Sequence, residues 1–482
     1  MLAYLIWASR GWPLIHDAPL MHYIAWLIDQ GGVPYRDAFD MNLPGVYLLH
    51  LAVLRVGGAG DVAWRLFDLG WLAATCGVLA AYCRRIGEGW APVAAALLFG
   101  IYHLSGGAWH AGQRDFLLCL FLLLGAWGVA RGTEQAAPGA FAWGGLALGA
   151  AMTIKPHAAL YWIFCVAIAA RDRPRAMSAW RAARLVLAAG LAVPAAVFAW
   201  LAWRGGLGAF LDIFNGYVLP LYSHLGRVVP WQAIGYVHGR RMIALFGLLA
   251  VLALLAPMSR DPAGKGLALG GVLYGIVHFV AQGKGWEYQL YPLIVFCCAV
   301  APAAVASWRR PGWWRALDLF GARRPLALVA WALLVVVLAA KALEASAPDG
   351  IVEKADRVAA IARDLRPLAR PGATVQVMDT TAGGIHALLR LQVRQPTRFI
   401  YDFPFFHDMG DPRIGALRAE FLEGLESGRP AAIVVLEESW PDAEFGYERL
   451  ETFPRLLEYL ARAYAPPLER PGYRIYAKRS DS

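Results

Sequence analysis

The sequence predicts an α-helical polytopic membrane protein of about eleven spans, with amphipathic helices in its first external loop and a small C-terminal α/β domain. Three observations predict it. Only 17% of the 482 residues are charged and 59% are hydrophobic, against about 25% charged in soluble globular chains. Twenty tryptophans suit repeated crossings of the headgroup level, where the indole ring prefers to sit. Apolar runs of spanning or near-spanning length alternate with loops that are by turns rich and poor in arginine.

The first run, residues 1–12, would rise only about 18 Å as a helix. It is either a span cut short at an internal Met or one that leans on its neighbours. It lacks the small-residue cleavage site of a signal peptide. Longer runs follow at 66–83, 91–109, 116–130, 141–154, 157–170, 183–203, 242–258, 267–281, 291–307 and 325–341. The basic loops are Arg84-Arg85, Arg131, 171–184, 260–265 and 308–324. Counting from a cytoplasmic N-terminus puts every one of them inside. Arg204, Arg227, Arg240 and Arg241 are the exception; they fall outside, in a loop suited to anions. The formal net charge of +10 is therefore read as membrane anchoring, not as a nucleic-acid surface.

Residues 141–170 are too few for two full-width helices. They predict two short helices with Lys155 at the tip of a hairpin that reaches outward, where broken backbone must line a wet or protein-filled cavity. The first external loop, about 13–60, holds two apolar stretches, Met21–Leu27 and Val46–Leu54. Both are too short to cross and are read as amphipathic helices on the outer surface. From 345 to 482 the material changes. Strand-like runs at Thr374–Met378, Arg398–Tyr401 and Ala432–Leu436 alternate with helical patterns at Val352–Leu365, Ile414–Glu426 and Phe453–Tyr464. That alternation predicts an α/β domain, placed outside by span parity. The boundary falls between a transmembrane domain at 1–344 and this domain at 345–482. The six cysteines all lie in or beside apolar runs and read as small hydrophobes in spans.

Acidic groups beside a bilayer are costly unless they face water or a site. Several share the first external loop: His16-Asp17, then Gly32-Val33-Pro34-Tyr35-Arg36-Asp37-Ala38-Phe39-Asp40, then Leu43-Pro44-Gly45. Arg65 precedes a span, Asp115 opens another, and Thr153-Ile154-Lys155-Pro156 closes a third. Gly283-Lys284-Gly285-Trp286-Glu287-Tyr288-Gln289 runs ahead of Pro292. Together these segments resemble the GT-C type of polytopic glycosyltransferase, in the branch that holds the aminoarabinose lipid A transferase and the protein O-mannosyltransferases. The segments 398–401 and 429–435 resemble the external C-terminal domain of many members.

The resemblance implies an inverting transfer from a polyprenyl-phosphate-linked sugar to a lipid, glycan or protein acceptor, at the outer face of a bacterial inner membrane. One carboxylate must take the acceptor's proton, and cations must hold the leaving phosphate. The resemblance gives the base to Asp17, which stands alternatively as a helix cap ahead of Pro19. Asp40 is a second acid or a solvated turn residue. Asp115 is a cavity carboxylate or a helix cap. Lys155 either meets the carrier phosphate or snorkels to the interface. Lys284, Glu287, Tyr288, Gln289, Tyr35 and Arg65 complete the substrate-binding set. No cofactor is implied and no cluster has metal-ligand spacing, although Asp17 and Asp115 as a pair could hold a divalent ion. His224, His238 and His278 read as satisfied side chains.

Two positions depart from the family. Asn42 stands where many members have Lys or His before the proline, and an amide cannot neutralise a phosphate. Ala18 stands where mannosyltransferases carry a second acid. A transporter or flippase of a lipid-linked anion is the rival class; the internal repeats common in transporters are not visible. A non-catalytic member of the family is the third reading.

Overall fold

Proline stands in the first turn of the helices that begin at residues 44, 91, 138, 262, 412 and 454. Its fixed φ suits that position, and its missing N–H is not needed there. The computed structural model describes residues 2–228, 261–306, 323–345, 349–438, 440 and 446–479. The predicted span at 242–258, His238, Arg240, Arg241 and most of the 308–324 loop lie outside the described residues.

The chain divides into two compact units. One comprises residues 1–11, 66–197 and 228–347; the other comprises 12–65, 198–227 and 348–482. Two helices, Asp61–Ile86 and Ala179–Trp203, run through both.

The first unit is helical. Each predicted apolar run among its described residues falls largely in a helix. Asp61–Ile86, Arg114–Gln135, Ala179–Trp203, Pro262–Gln282 and Glu287–Ala304 are long and apolar enough to cross a membrane. Ala91–Ser105, Pro138–Ile154 and Ala158–Arg171 are apolar but shorter. The run at 91–109 ends early: its helix stops at Ser105, and 107–109 form a 3-10 turn. Gly107 follows with φ of 66°, and at Gly106 a Cβ would fall 1.8 Å from the ring of His110. Small residues set the tightest helix contact. A Cβ on Gly128 would lie 2.6 Å from the Gly144 Cα and 2.8 Å from the Ala140 carbonyl oxygen. Arg114–Gln135 and Pro138–Ile154 thus meet backbone to backbone, as small residues allow in apolar surroundings. The six cysteines are free thiols, five of them buried.

The second unit is built round a four-stranded sheet of order β1-β2-β4-β3. The strands are β1 Val375–Met378, β2 Ala432–Leu436, β3 Leu468–Arg470 and β4 Tyr473–Ala477. β1 and β2 run parallel, Val375 opposite Ala432; β4 is antiparallel to β2 and β3. The parallel pair needs a crossover, and Gly384–Leu391 and Pro412–Gly428 supply it. Both parallel strands are wholly buried, so their sequences read as unbroken apolar runs. The β3–β4 turn is Pro471-Gly472, with φ of 79° at the glycine, a conformation L-residues resist.

Three expectations change here. Arg398–Tyr401 is not a strand: Phe399 makes one isolated bridge, to Phe39, and its ring stacks on Phe39 at 5.3 Å. Side chains take the local hydrogen bonds instead, Gln376 Nε2 and Gln395 Nε2 both donating to the Phe399 carbonyl. The β3–β4 hairpin was not foreseen because β3 is short, polar and exposed. The first-loop helices, found at Asp17–Asp29 and Pro44–Gly57, are more than surface amphipaths. Every residue from Ala18 to Ile28 is buried, because Gly384–Leu391 and Pro44–Gly57 pack on the first of them.

Candidate functional site

Asp115 is the second residue of Arg114–Gln135, and the cap residue Gln113 makes no side-chain cap. A helix N-terminus favours negative charge, but capping does not account for Asp115. It is 0% exposed and its partners are side chains from elsewhere. His278 Nε2 lies 2.6 Å from Oδ1, Gln282 Nε2 3.3 Å from the same atom, and Lys155 Nζ 3.2 Å from Oδ2. Lys155 follows the last residue of Pro138–Ile154 in extended conformation, φ −138° and ψ 121°, as the residue before a proline prefers. Its ammonium donates to Gln282 Oε1 at 2.7 Å. At 9% exposure it is buried among these partners.

His278 and Gln282 stand four residues apart on Pro262–Gln282, hence on one helical face. Gln289 joins by donating to Gln282 Oε1 at 3.2 Å. Of the predicted residues, Asp115, Lys155 and Gln289 therefore converge. Lys284 and Tyr288 are also buried, Tyr288 between Trp109 and Trp286 at ring distances of 5.6 and 5.5 Å. Glu287 pairs instead with Lys341. Gln282 and Lys341 escaped the sequence reading, and His278 was read only as a satisfied histidine. The visible signal was a His and a Gln at helical spacing inside an otherwise apolar run.

In the second unit Asp17 is the first residue of Asp17–Asp29, and the cap position belongs to His16. Asp17 thus lies in the first turn and is not the cap. His16 has φ of 54°, a backbone state that costs a non-glycine residue about 1–3 kcal/mol and clusters at functional sites. His16 lines a pocket with Pro19, Lys354, Asp379 and His386. Burial pushes the His16 imidazole down to about 3, and Lys354 adds to the effect. Burial also lowers the Lys354 ammonium, while Glu438, Asp379 and Asp17 pull it back up. Asp379 accepts from the Ala382, Gly383 and Gly384 amides at 2.6, 3.0 and 2.7 Å. Burial holds its carboxyl above the usual range despite those bonds. Lys354 carries no sequence motif, and only the fold makes it an electrostatic neighbour of Asp17.

Asp40 is not a solvated turn residue. It is 1% exposed and accepts from Tyr47 Oη at 2.6 Å, from Asn42 Nδ2 at 2.9 and 3.0 Å, and from the Met41 amide at 2.7 Å. Asn42 therefore serves the carboxylate beside it. Its carbonyl accepts from Tyr35 Oη at 2.6 Å; Tyr35 is 1% exposed, its hydroxyl committed to that bond. Arg65, 2% exposed, lies 4.5 Å over the Trp12 ring. Among the described residues no group of three or more His, Cys, Asp or Glu side chains is placed to hold a metal ion.

No family model matches the chain, and no curated protein does. Two crystal structures of ArnT from Cupriavidus metallidurans, one bound to undecaprenyl phosphate and one in the apo state, match with a TM-score of 0.62 and 15% identity. They cover 99% of this chain and 96% and 97% of their own. The chain shares its fold with these two ArnT structures. The likeness spans nearly the whole chain, so both units fall within it. The oligosaccharyltransferase AglB from Archaeoglobus fulgidus aligns over 100% of this chain and 74% of its own, at 11% identity and a TM-score of 0.49, too slight a likeness to bear on function.

Proposed function

We propose that the protein is an inverting glycosyltransferase. It moves a sugar from a polyprenyl-phosphate carrier to a lipid, glycan or protein acceptor at the outer face of a bacterial inner membrane. The observation that carries the reading is the buried Asp115–Lys155–His278–Gln282 cluster in a unit of membrane-type helices with the GT-C fold. Ionisable groups inside such a unit are expensive and mark function by default. One solved ArnT structure with this fold holds undecaprenyl phosphate.

In the proposed reaction Lys155 supplies the positive charge for the carrier phosphate, and Asp115 and Gln282 fix its ammonium. Charge grows on the leaving phosphate in the transition state, so a cation fixed in a dry site acts with little reorganisation. Asp17 takes the acceptor's proton as its oxygen attacks the anomeric carbon. A single displacement needs one base and no enzyme nucleophile. The proposed chemistry draws on no metal. About eleven crossings would leave the residues after 345 outside the cytoplasm.

The test is transfer of labelled sugar from an undecaprenyl-phosphate carrier by the purified chain in lipid nanodiscs. Asp17→Asn should lose at least about a hundred-fold in rate, the usual worth of a general base, with carrier binding kept. Full transfer by a folded Asp17→Asn variant would remove the assigned base. A wild-type chain that moves the intact carrier across the bilayer without turnover would make it a flippase.

A further inference from the structure

A second buried polar chain runs through the first unit. Asp68 Oδ1 accepts from the Gly112 amide at 3.1 Å, and Oδ2 lies 3.0 Å from His103 Nε2. His103 Nδ1 lies 2.7 Å from Tyr291 Oη, which lies 3.0 Å from His110 Nδ1. All four side chains are 0% exposed. The far nitrogen of the last one, His110 Nε2, is buried and has no hydrogen-bond partner among the described residues. Orphaned buried polar atoms are rare in native proteins and demand an explanation.

The order of donors follows from one end. An ionised carboxylate only accepts, so His103 donates from Nε2 and, as a neutral imidazole, accepts at Nδ1. Tyr291 must then donate to Nδ1, which leaves its oxygen to accept from His110 Nδ1–H. Burial holds the His110 imidazole well below its ordinary range, with Lys341 and His103 adding to the effect, so it carries a single proton. That proton sits on Nδ1, and Nε2 is left as a bare lone pair.

We propose that His110 Nε2 accepts a hydrogen bond from a ligand hydroxyl, and that Asp68 sets this polarity through His103 and Tyr291. His110 is a binding residue and Asp68 a positioning residue. The surroundings agree. Gln113 Oε1 and Gln289 Oε1 are further buried acceptors with no partner among the described residues, and Gln289 belongs to the Gln282 cluster. Each of these acceptors would be satisfied by a donor, and a sugar offers one hydroxyl after another. The inference rests on the carrier-linked sugar proposed above. Gly106 is part of the device, since any side chain there would drive out the His110 ring.

Two measurements test it. The first is nitrogen-15 NMR of the histidine-labelled chain in nanodiscs. His110 should be protonated on Nδ1 in the wild type. Asp68→Asn should reverse it, because the new amide donates to His103 and turns every bond of the chain round. The second compares binding of undecaprenyl phosphate with that of its glucosylated form. The wild type should prefer the sugar-bearing probe; Asp68→Asn and His110→Phe should cut that preference up to about ten-fold, the reach of one hydrogen bond, and leave the bare carrier unaffected. Should Asp68→Asn not fold, Tyr291→Phe breaks the same chain with little change of shape. A protonated Nε2 in the wild type overturns the proposal. So does an intact sugar preference in the variants, or equal wild-type affinity for the two probes, which would mean that Nε2 meets only water. Failure of both probes to bind would sink the glycosyltransferase reading, and the position of the His110 proton would still decide the relay.

Discussion

The Lys155 ammonium stands 3.2 Å from Oδ2 of Asp115, with 11% and 0% of the two side chains exposed. Breaking such a pair from one side leaves an uncompensated buried charge, which costs about 3–5 kcal/mol. Lys155→Met should therefore lower the thermal midpoint of the detergent-solubilised chain sharply. Adding Asp115→Leu should recover part of the loss. A double variant less stable than Lys155→Met would show that the pair is not what couples these positions.

Arg449 tests the second unit alone. It donates to Asp402 Oδ2 at 2.8 Å and to the Leu436 carbonyl at 2.6 Å, at 4% exposure. Arg449→Met should destabilise the unit by about 3–5 kcal/mol. Arg449→Lys should recover little, because an ammonium cannot reproduce the planar fork. Chemical denaturation followed by tryptophan fluorescence reads both.

His22 gives a pH dependence. It is 0% exposed, and burial pushes its imidazole from 6.5 down to about 4. Below pH 6.5 the unfolded chain takes up a proton that the folded chain refuses. Stability is thus full above about 6.5 and lost as pH falls toward about 4, by about 1.4 kcal/mol per pH unit. His22→Gln should flatten that part of the profile of unfolding midpoint against pH.

Gly128 leaves no room for a methyl group, with the Gly144 Cα 2.6 Å from its missing Cβ. Gly128→Ala should cost about 1–3 kcal/mol by overpacking, and Gly128→Leu more. Gly139, which has open space around it, should tolerate alanine with no measurable change in melting temperature.

Much of this was legible in the sequence, for physical reasons that differ by element. Helices such as 116–130 and 183–203 declare themselves because apolar side chains must appear on every face that meets lipid or protein. β2 was read residue for residue, since a strand buried on both faces is an unbroken apolar run. The segment 398–401 misled because aromatic, β-branched composition predicts a strand only where a partner strand is free to pair. Asp115, Lys155 and Gln289 were readable as candidates, because polar groups in an apolar chain stand out. Their partners were not. His278 and Gln282 lie far along the chain, and Lys354 sits in an ordinary amphipathic helix.

By itself the sequence determined the class of molecule, the places where helices run, and the costly groups that need an explanation. Those follow from local composition and from the price of charge in an apolar medium. Only the tertiary structure decided who answers those groups: that Asp40 is tied down by Tyr47 and Asn42, that Asp115 faces Lys155 and His278, and that Asp68 reaches His110 through two intermediaries. Hydrogen bonds act over about 3 Å, and sequence distance carries no record of which side chains the fold brings within that reach.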